Sequence, residues 1–230
     1  MMSLPSILAL GFLLGMRHAT DADHVVAVTT IVSRDRTLRG AARIGSLWGA
    51  GHTLTVLLVG GAIILFGLAI PPRVGLALEL SVGVMLVVLG ALSIAAGRHA
   101  HDHAHAAVDH VDRRLGARQS YALLRPLLVG VVHGLAGSAA VALLVLGTIR
   151  EPIAALAYLA VFGVGTVAGM VLITTALAVP LAAASGAFTR AARWVGVAAG
   201  VGSVAFGLFL VYRIGFVDGL FTGTPRWTPG

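Results

Sequence analysis

GMRHATDADHVV, residues 15–26, interrupts a chain that is otherwise mostly alanine, valine, leucine and glycine. Within seven residues it places His18, Asp21, Asp23 and His24, with Arg17 just ahead of them. Its flanks, LPSILALGFLLG (4–15) and VVAVTTIV (25–32), are apolar. Ionisable groups inside a bilayer cost roughly a few kcal/mol each and line pathways rather than face lipid. Four of them so close together need one another, a cavity or an ion. Whether this stretch crosses a membrane therefore decides the fold.

The composition says that it does. The chain has 230 residues, 58% hydrophobic and only 11% charged, with a mean hydropathy of +0.96. Soluble domains carry about a quarter charged residues. All 16 basic residues are arginine. The net charge of +7 and pI near 11.4 do not point to nucleic acid, because the arginines lie between apolar segments rather than on one basic face. Membrane topology accounts for them instead. The absence of cysteine excludes disulfides and thiolate metal sites. The N-terminus lacks the basic region and small-residue cleavage site of a signal peptide, so the first apolar stretch reads as a retained helix.

A span needs about 20 mostly apolar residues. Six candidates meet that: 4–32, 46–70, 74–97, 122–148, 153–180 and 190–214. The runs are continuous, without the alternation of an outer-membrane barrel. The segments after the first, third and fifth spans hold eleven arginines, among them Arg34, Arg36, Arg39 and Arg43; the other side holds Arg73, Arg150, Arg213 and Arg226. By the positive-inside rule both termini lie outside and the 98–125 stretch is cytoplasmic. The halves also resemble each other. GMRHATDADHVVAV aligns with GVVHGLAGSAAVAL, so His18 matches His133; GAGHT (49–53) aligns with GVGTV (163–167); Gly83 and Gly90 match Gly200 and Gly207. Two copies of three helices must have opposite orientations, a common transporter plan. The expected fold is all-α: a polytopic membrane protein of six transmembrane helices in two inverted three-helix repeats. Residues 1–97 form the first repeat, 98–121 a His-rich cytoplasmic loop and 122–230 the second repeat. The GxxxG pairs Gly165/Gly169, Gly130/Gly134 and Gly196/Gly200 read as helix packing.

On a regular helix His18, Asp21 and His24 fall within one arc and Asp23 points elsewhere; Asp23 joins them only if the helix unwinds locally. Imidazole with carboxylate suits a borderline divalent ion such as Ni²⁺, Co²⁺ or Zn²⁺. Asp21 or Asp23 can instead fix a histidine tautomer from outside the ligand set. His52, between Gly51 and Thr53, is read as a further ligand, against the alternative of an interhelical hydrogen bond. His133 is the repeat counterpart of His18 and a candidate ligand. Glu79 reads as interfacial, Arg17 as a balance to the aspartates or a snorkelling cation, and Met16 and Met170 as packing.

RHATDADH together with GAGHTLTV resembles the nickel/cobalt transporter family, whose signature is His-x4-Asp-His in one transmembrane helix and a Gly-His-Ser/Thr motif in the next. The matching residues are His18, Asp23 and His24, then Gly51, His52 and Thr53. The resemblance is close over about residues 10–60. It implies metal transport through a His/Asp site. Typical members have eight spans; six resemble the efflux and urease-associated branches. The acidic motifs that typical members carry in later helices are missing here, where the corresponding stretches supply His133, Ser138 and Thr166.

RHAHDHAHAAVDH (98–110) carries His99, His101, His103, His105 and His110. Such tracts bind transition metals weakly and need no fold, so the loop reads as an accessory metal collector or sensor. The leading expectation is a secondary transporter of Ni²⁺ or Co²⁺, in the inner membrane, using His18, Asp21, Asp23, His24, His52 and His133. It is not an enzyme and needs no prosthetic group; the metal is substrate. Its partners are the metal ion and the bilayer, not nucleic acid, with room for a homo-oligomer and a cytoplasmic metal acceptor. Two other classes stay open: a proton-coupled exporter of a small anion or amino acid, and an intramembrane metalloenzyme.

Overall fold

The first apolar stretch is not one helix. In a computed structural model, which describes residues 3–32, 37–68, 70–99, 117–136, 149, 151–183 and 189–227, it divides into α1 (Leu4–His18) and α2 (Ala22–Val32). Pro5 sits in the first turn of α1, where a missing N–H costs nothing. Over Ala19–Asp21 the ladder tightens: the Thr20 and Asp21 amides donate to the carbonyls of Arg17 and His18 instead of four residues back. The Thr20 hydroxyl also donates to the Arg17 carbonyl, at 2.6 Å. A side chain that competes for backbone acceptors in this way favours a break. The ladder resumes when the Val25 amide donates to Asp21.

Five longer helices follow: α3 (Leu38–Phe66), α4 (Pro72–His99), α5 (Ala117–Leu135), α6 (Pro152–Ala183) and α7 (Thr189–Tyr212). The Thr37 side chain caps α3 by accepting from the Gly40 amide at 3.0 Å, and Gly67 ends it in the left-handed region at φ 62°. Pro72 and Pro152 open α4 and α6, where the fixed proline φ suits a first turn. A π turn, Arg213–Val217, ends α7.

The chain is a multi-pass membrane protein. Four segments among the described residues are long and apolar enough to cross a bilayer: Leu38–Phe66, Pro72–Ala95, Pro152–Pro180 and Trp194–Val217. Against the six expected spans there are three differences. The first span is two helices of 15 and 11 residues. The second begins at Leu38, eight residues early, because Thr37 supplies a cap ahead of Arg39 and Arg43. The fourth is described only as far as α5 and Ala136; 137–148, with Ser138, lie outside the described residues. The expected 98–121 loop is shortened from both ends, since α4 runs to His99 and α5 starts at Ala117. His101, His103, His105 and His110 lie outside the described residues, as do Arg34 and Arg36.

Glycine sets how the helices meet. A Cβ on Gly15 of α1 would strike the Phe162 carbonyl and Thr166 amide of α6; one on Gly130 of α5 would strike the Trp48 carbonyl and His52 amide of α3. The order of contacts makes α1 parallel to α6, and α5 parallel to α3. Pairs such as Gly45 with Thr174, and Gly163 with Thr53, make α3 antiparallel to α6. Gly83 faces Gly207 and Gly90 faces Gly200 along antiparallel α4 and α7. Ser203 and Ser93 tie that seam by donating to the carbonyls of Leu86 at 2.8 Å and Gly196 at 3.2 Å. Without a hydrophobic drive between helices in lipid, such close backbone packing carries the association. The short α2 packs on α4 and α7.

Candidate metal centre

The break in the first apolar stretch turns Asp23 inward. His18 is the last residue of α1 and Asp23 and His24 lie in the first turn of α2. His52 comes from the middle of α3, and His133 from the last turn of α5. Glycines set the depth of the last two. Gly51 presses α3 onto the Leu127 carbonyl, while Gly134 lets α5 close on the His52 backbone.

All four imidazoles are buried, and His24, His52 and His133 are wholly so. The ring nitrogens of three of them are held in a common pattern. His18 Nδ1 stands 2.7 Å from Asp21 Oδ2, His24 Nδ1 stands 3.0 Å from Asp23 Oδ1, and His133 Nδ1 donates to the Val129 carbonyl at 3.3 Å. Carboxylates and carbonyls accept, so the network assigns the proton to Nδ1 in each ring and leaves a lone pair on Nε2. That is how metal-ligating histidines are oriented in general: one nitrogen pinned by an acceptor, the other turned to the ion. His18 Nε2 lies 3.2 Å from His52 Nε2, and His133 Nε2 lies 3.7 Å from the second oxygen of Asp23. The Asp23 carboxylate thus accepts from the His24 ring at 3.0 Å and the His24 amide at 2.9 Å, while its second oxygen stands near the His133 ring. His24 Nε2 and His52 Nδ1 find no hydrogen-bond partner among the described residues. A buried lone pair with no donor aimed at it is costly unless something else occupies it.

Two groups of three could hold a cation: His18, His24 and His52, and Asp23, His24 and His133, the donor atoms of each lying within 4.8 Å of one another. They share His24. A cation bound at about 2.1 Å spaces adjacent donors by about 3.0–3.4 Å and opposite ones by about 4.2 Å. The 3.2 Å gap between His18 and His52 already has that spacing. A pair at the 4.8 Å limit draws in by about 0.6 Å to stand opposite and by about 1.4 Å to stand adjacent. Nitrogen-rich donors with a carboxylate suit Ni²⁺, Co²⁺ or Zn²⁺ better than Mg²⁺ or Ca²⁺.

Aromatic rings wall the cluster, and residue chemistry alone did not single them out. Trp48 stacks on His24, with ring centres 6.1 Å apart, and packs against His133 at 5.1 Å. Phe162 packs on His18 at 5.5 Å. The signal for Trp48 was its place one turn before His52. Of the other singled-out residues, Arg17 is exposed and Met170 is buried in the core of α6. Thr166 spends its hydroxyl on the Phe162 carbonyl at 3.0 Å. Glu79, expected at an interface, is half-buried in the wall of a cavity that reaches Asp23.

No protein-family model matches the chain, and no solved structure matches it. It is similar to the urease accessory protein UreH of Bacillus sp. (strain TB-90), with 37% identity over 225 residues, covering 95% of this chain and 96% of the relative.

Proposed function

The chain belongs to the family of the urease accessory protein UreH, and from that membership we propose that it is a secondary transporter carrying Ni²⁺ across the membrane, with Co²⁺ as a second cargo. Its relative is named as an accessory protein, and the chain is likewise not an enzyme. The observation that carries the transport reading is the convergence of imidazole nitrogens on a broken apolar helix, each of three rings pinned at Nδ1 with Nε2 turned toward the cluster. In this reading His18, His24, His52 and His133 are ligands and Asp23 bridges the two triads. Asp21 orients His18. The metal is cargo, and no prosthetic group is involved. No nucleotide-binding motif occurs in the sequence, so the membrane potential or a proton gradient drives the movement. Ligands that must be deprotonated to bind allow metal to exchange for protons.

The architecture proposed with it is an inverted repeat. Its support is reciprocity of contact: Gly15 on Phe162 and Thr166 matches Gly130 on Trp48 and His52, and Gly51 on Leu127 matches Gly165 on Phe12. The rings agree as well, Phe162 lying on His18 and Trp48 on His133. A site at a repeat interface is where alternating access needs it. Both termini lie outside in this proposal, in the inner membrane, and the histidines of 98–110 gather metal in the cytoplasm, where an acceptor would meet it.

Uptake of radiolabelled Ni²⁺ by cells, with and without the protein, tests the reading. Wild type moves nickel; His18→Ala and Asp23→Asn, inserted at normal levels, lose at least about 90% of it, as expected when a buried ligand set is left one short. Full transport by an inserted His18→Ala protein would overturn the site.

A further inference from the structure

The chain does not leave the bundle after α7. The π turn hands over to a hook, residues 218–227, held by Phe221 donating to the Gly215 carbonyl at 3.0 Å and Arg226 to that of Asp218 at 2.8 Å. Gly219 makes the reversal at φ 85°. The hook delivers Trp227 onto α4. Its indole lies where a Cβ on Gly75 would be, and its Nε1–H donates to Glu79 Oε1 at 2.8 Å. The indole borders two cavities. One, of about 240 Å³, runs from Glu79, Arg213 and Arg226 to Asp23. The other, of about 20 Å³, lies behind the ring against Gly134 and Leu159. The larger has room for several waters and reaches the metal cluster by its carboxylate. Arg213 is engaged by Asp218 at 3.7 Å, whereas Glu79 faces an uncharged donor.

We propose that this chamber is the approach to the His/Asp site and that the Glu79–Trp227 hydrogen bond is a latch on it, opened when a divalent cation takes the Glu79 carboxylate from the indole. The inference rests on the metal-transport reading for its cation but not for its latch. With the bond made, the hook is pinned to α4 beside the chamber. A hydrated cation arriving at Glu79 competes directly for the oxygen that the indole uses. Trp227 then loses that hydrogen bond while its ring still lies against Gly75, and the wall between the two cavities is free to move.

The natural chain has no cysteine, so one thiol reports on the chamber. Val82 lines it and is 3% exposed. Val82→Cys in the full-length protein, reconstituted in vesicles, is labelled with an impermeant thiol reagent; Leu210→Cys, which lines the chamber from α7, repeats the measurement. Trp227→Phe keeps a ring and removes the donor. It labels about tenfold faster without metal, the population change from losing one hydrogen bond to a charged group. Ni²⁺ accelerates labelling of the wild-type background. Glu79→Gln keeps an acceptor for the indole but not the charge, so it labels slowly with or without Ni²⁺. Calorimetry on the same proteins shows nickel still bound at the core site. Labelling of Trp227→Phe at the wild-type rate overturns the latch, and acceleration by Ni²⁺ in Glu79→Gln overturns the cation trigger. A wild type that binds no nickel while Trp227→Phe still labels faster overturns the transport reading and the trigger, and leaves the latch standing.

Discussion

Asp21 and Asp23 are two residues apart and are placed for different work. The Asp21 side chain is 49% exposed and touches one histidine, while that of Asp23 is 21% exposed and stands against two. If Asp21 only orients His18, Asp21→Asn lowers nickel affinity about 10–100-fold, as loss of such a partner does elsewhere, with the saturated rate largely kept. Asp23→Asn removes an ionised group from the cluster itself, and no metal concentration restores transport. Concentration dependence of uptake separates the two. An Asp21→Asn protein as inactive as Asp23→Asn would make Asp21 a ligand. His52 has a simpler expectation. With Nε2 3.2 Å from that of His18, its replacement by Ala removes a donor already at metal spacing.

At the scale of helices the site depends on approach distance. A side chain on Gly130 has to push α5 off the Trp48 and His52 backbone, and carries His133 away with it. Gly130→Leu therefore abolishes uptake and costs about 1–3 kcal/mol of stability through overpacking. Gly202→Leu, on α7 with nothing near it, leaves both unchanged. Thermal unfolding and uptake on the two variants check this; equal tolerance would remove the close approach from the argument. The candidate site residues stood out because four ionisable groups in seven residues have no bland place in an apolar span. Their geometry was not. Regular periodicity sends Asp23 away from His18, Asp21 and His24. The break that brings it back is made by short-range bonds, Thr20 to Arg17 and His18 to Asp21, which a hydropathy pattern does not register. The partner of Glu79 was equally hidden, since Trp227 lies 148 residues along the chain. Span positions could be read closely where proline marks a start, as at Pro72 and Pro152, and less closely at Leu38, where the Thr37 side chain sets the start.

For the molecule as a whole, charge predicts the orientation in the membrane. The arginine distribution predicts that an impermeant thiol reagent added outside intact cells labels Gly223→Cys, in the exposed hook, and spares Ala104→Cys until the membrane is opened. Labelling of Ala104→Cys from outside would invert the orientation. With that orientation, replacing His99, His101, His103, His105 and His110 by Ala lowers transport only at limiting metal on the cytoplasmic side, because a collector raises local concentration. Equal loss at every concentration in oriented vesicles would put those histidines in the pathway. The interruption at Ala19–Asp21 has one more consequence. Aligned peptide dipoles leave about half a negative charge at a helix C-terminus and half a positive charge at an N-terminus, and here α1 ends where α2 begins. His18 sits at the negative lip and Asp23 at the positive one. A cation is drawn toward the first while the carboxylate is stabilised at the second, so the backbone gives the site a polarity of its own before any voltage is applied across the membrane.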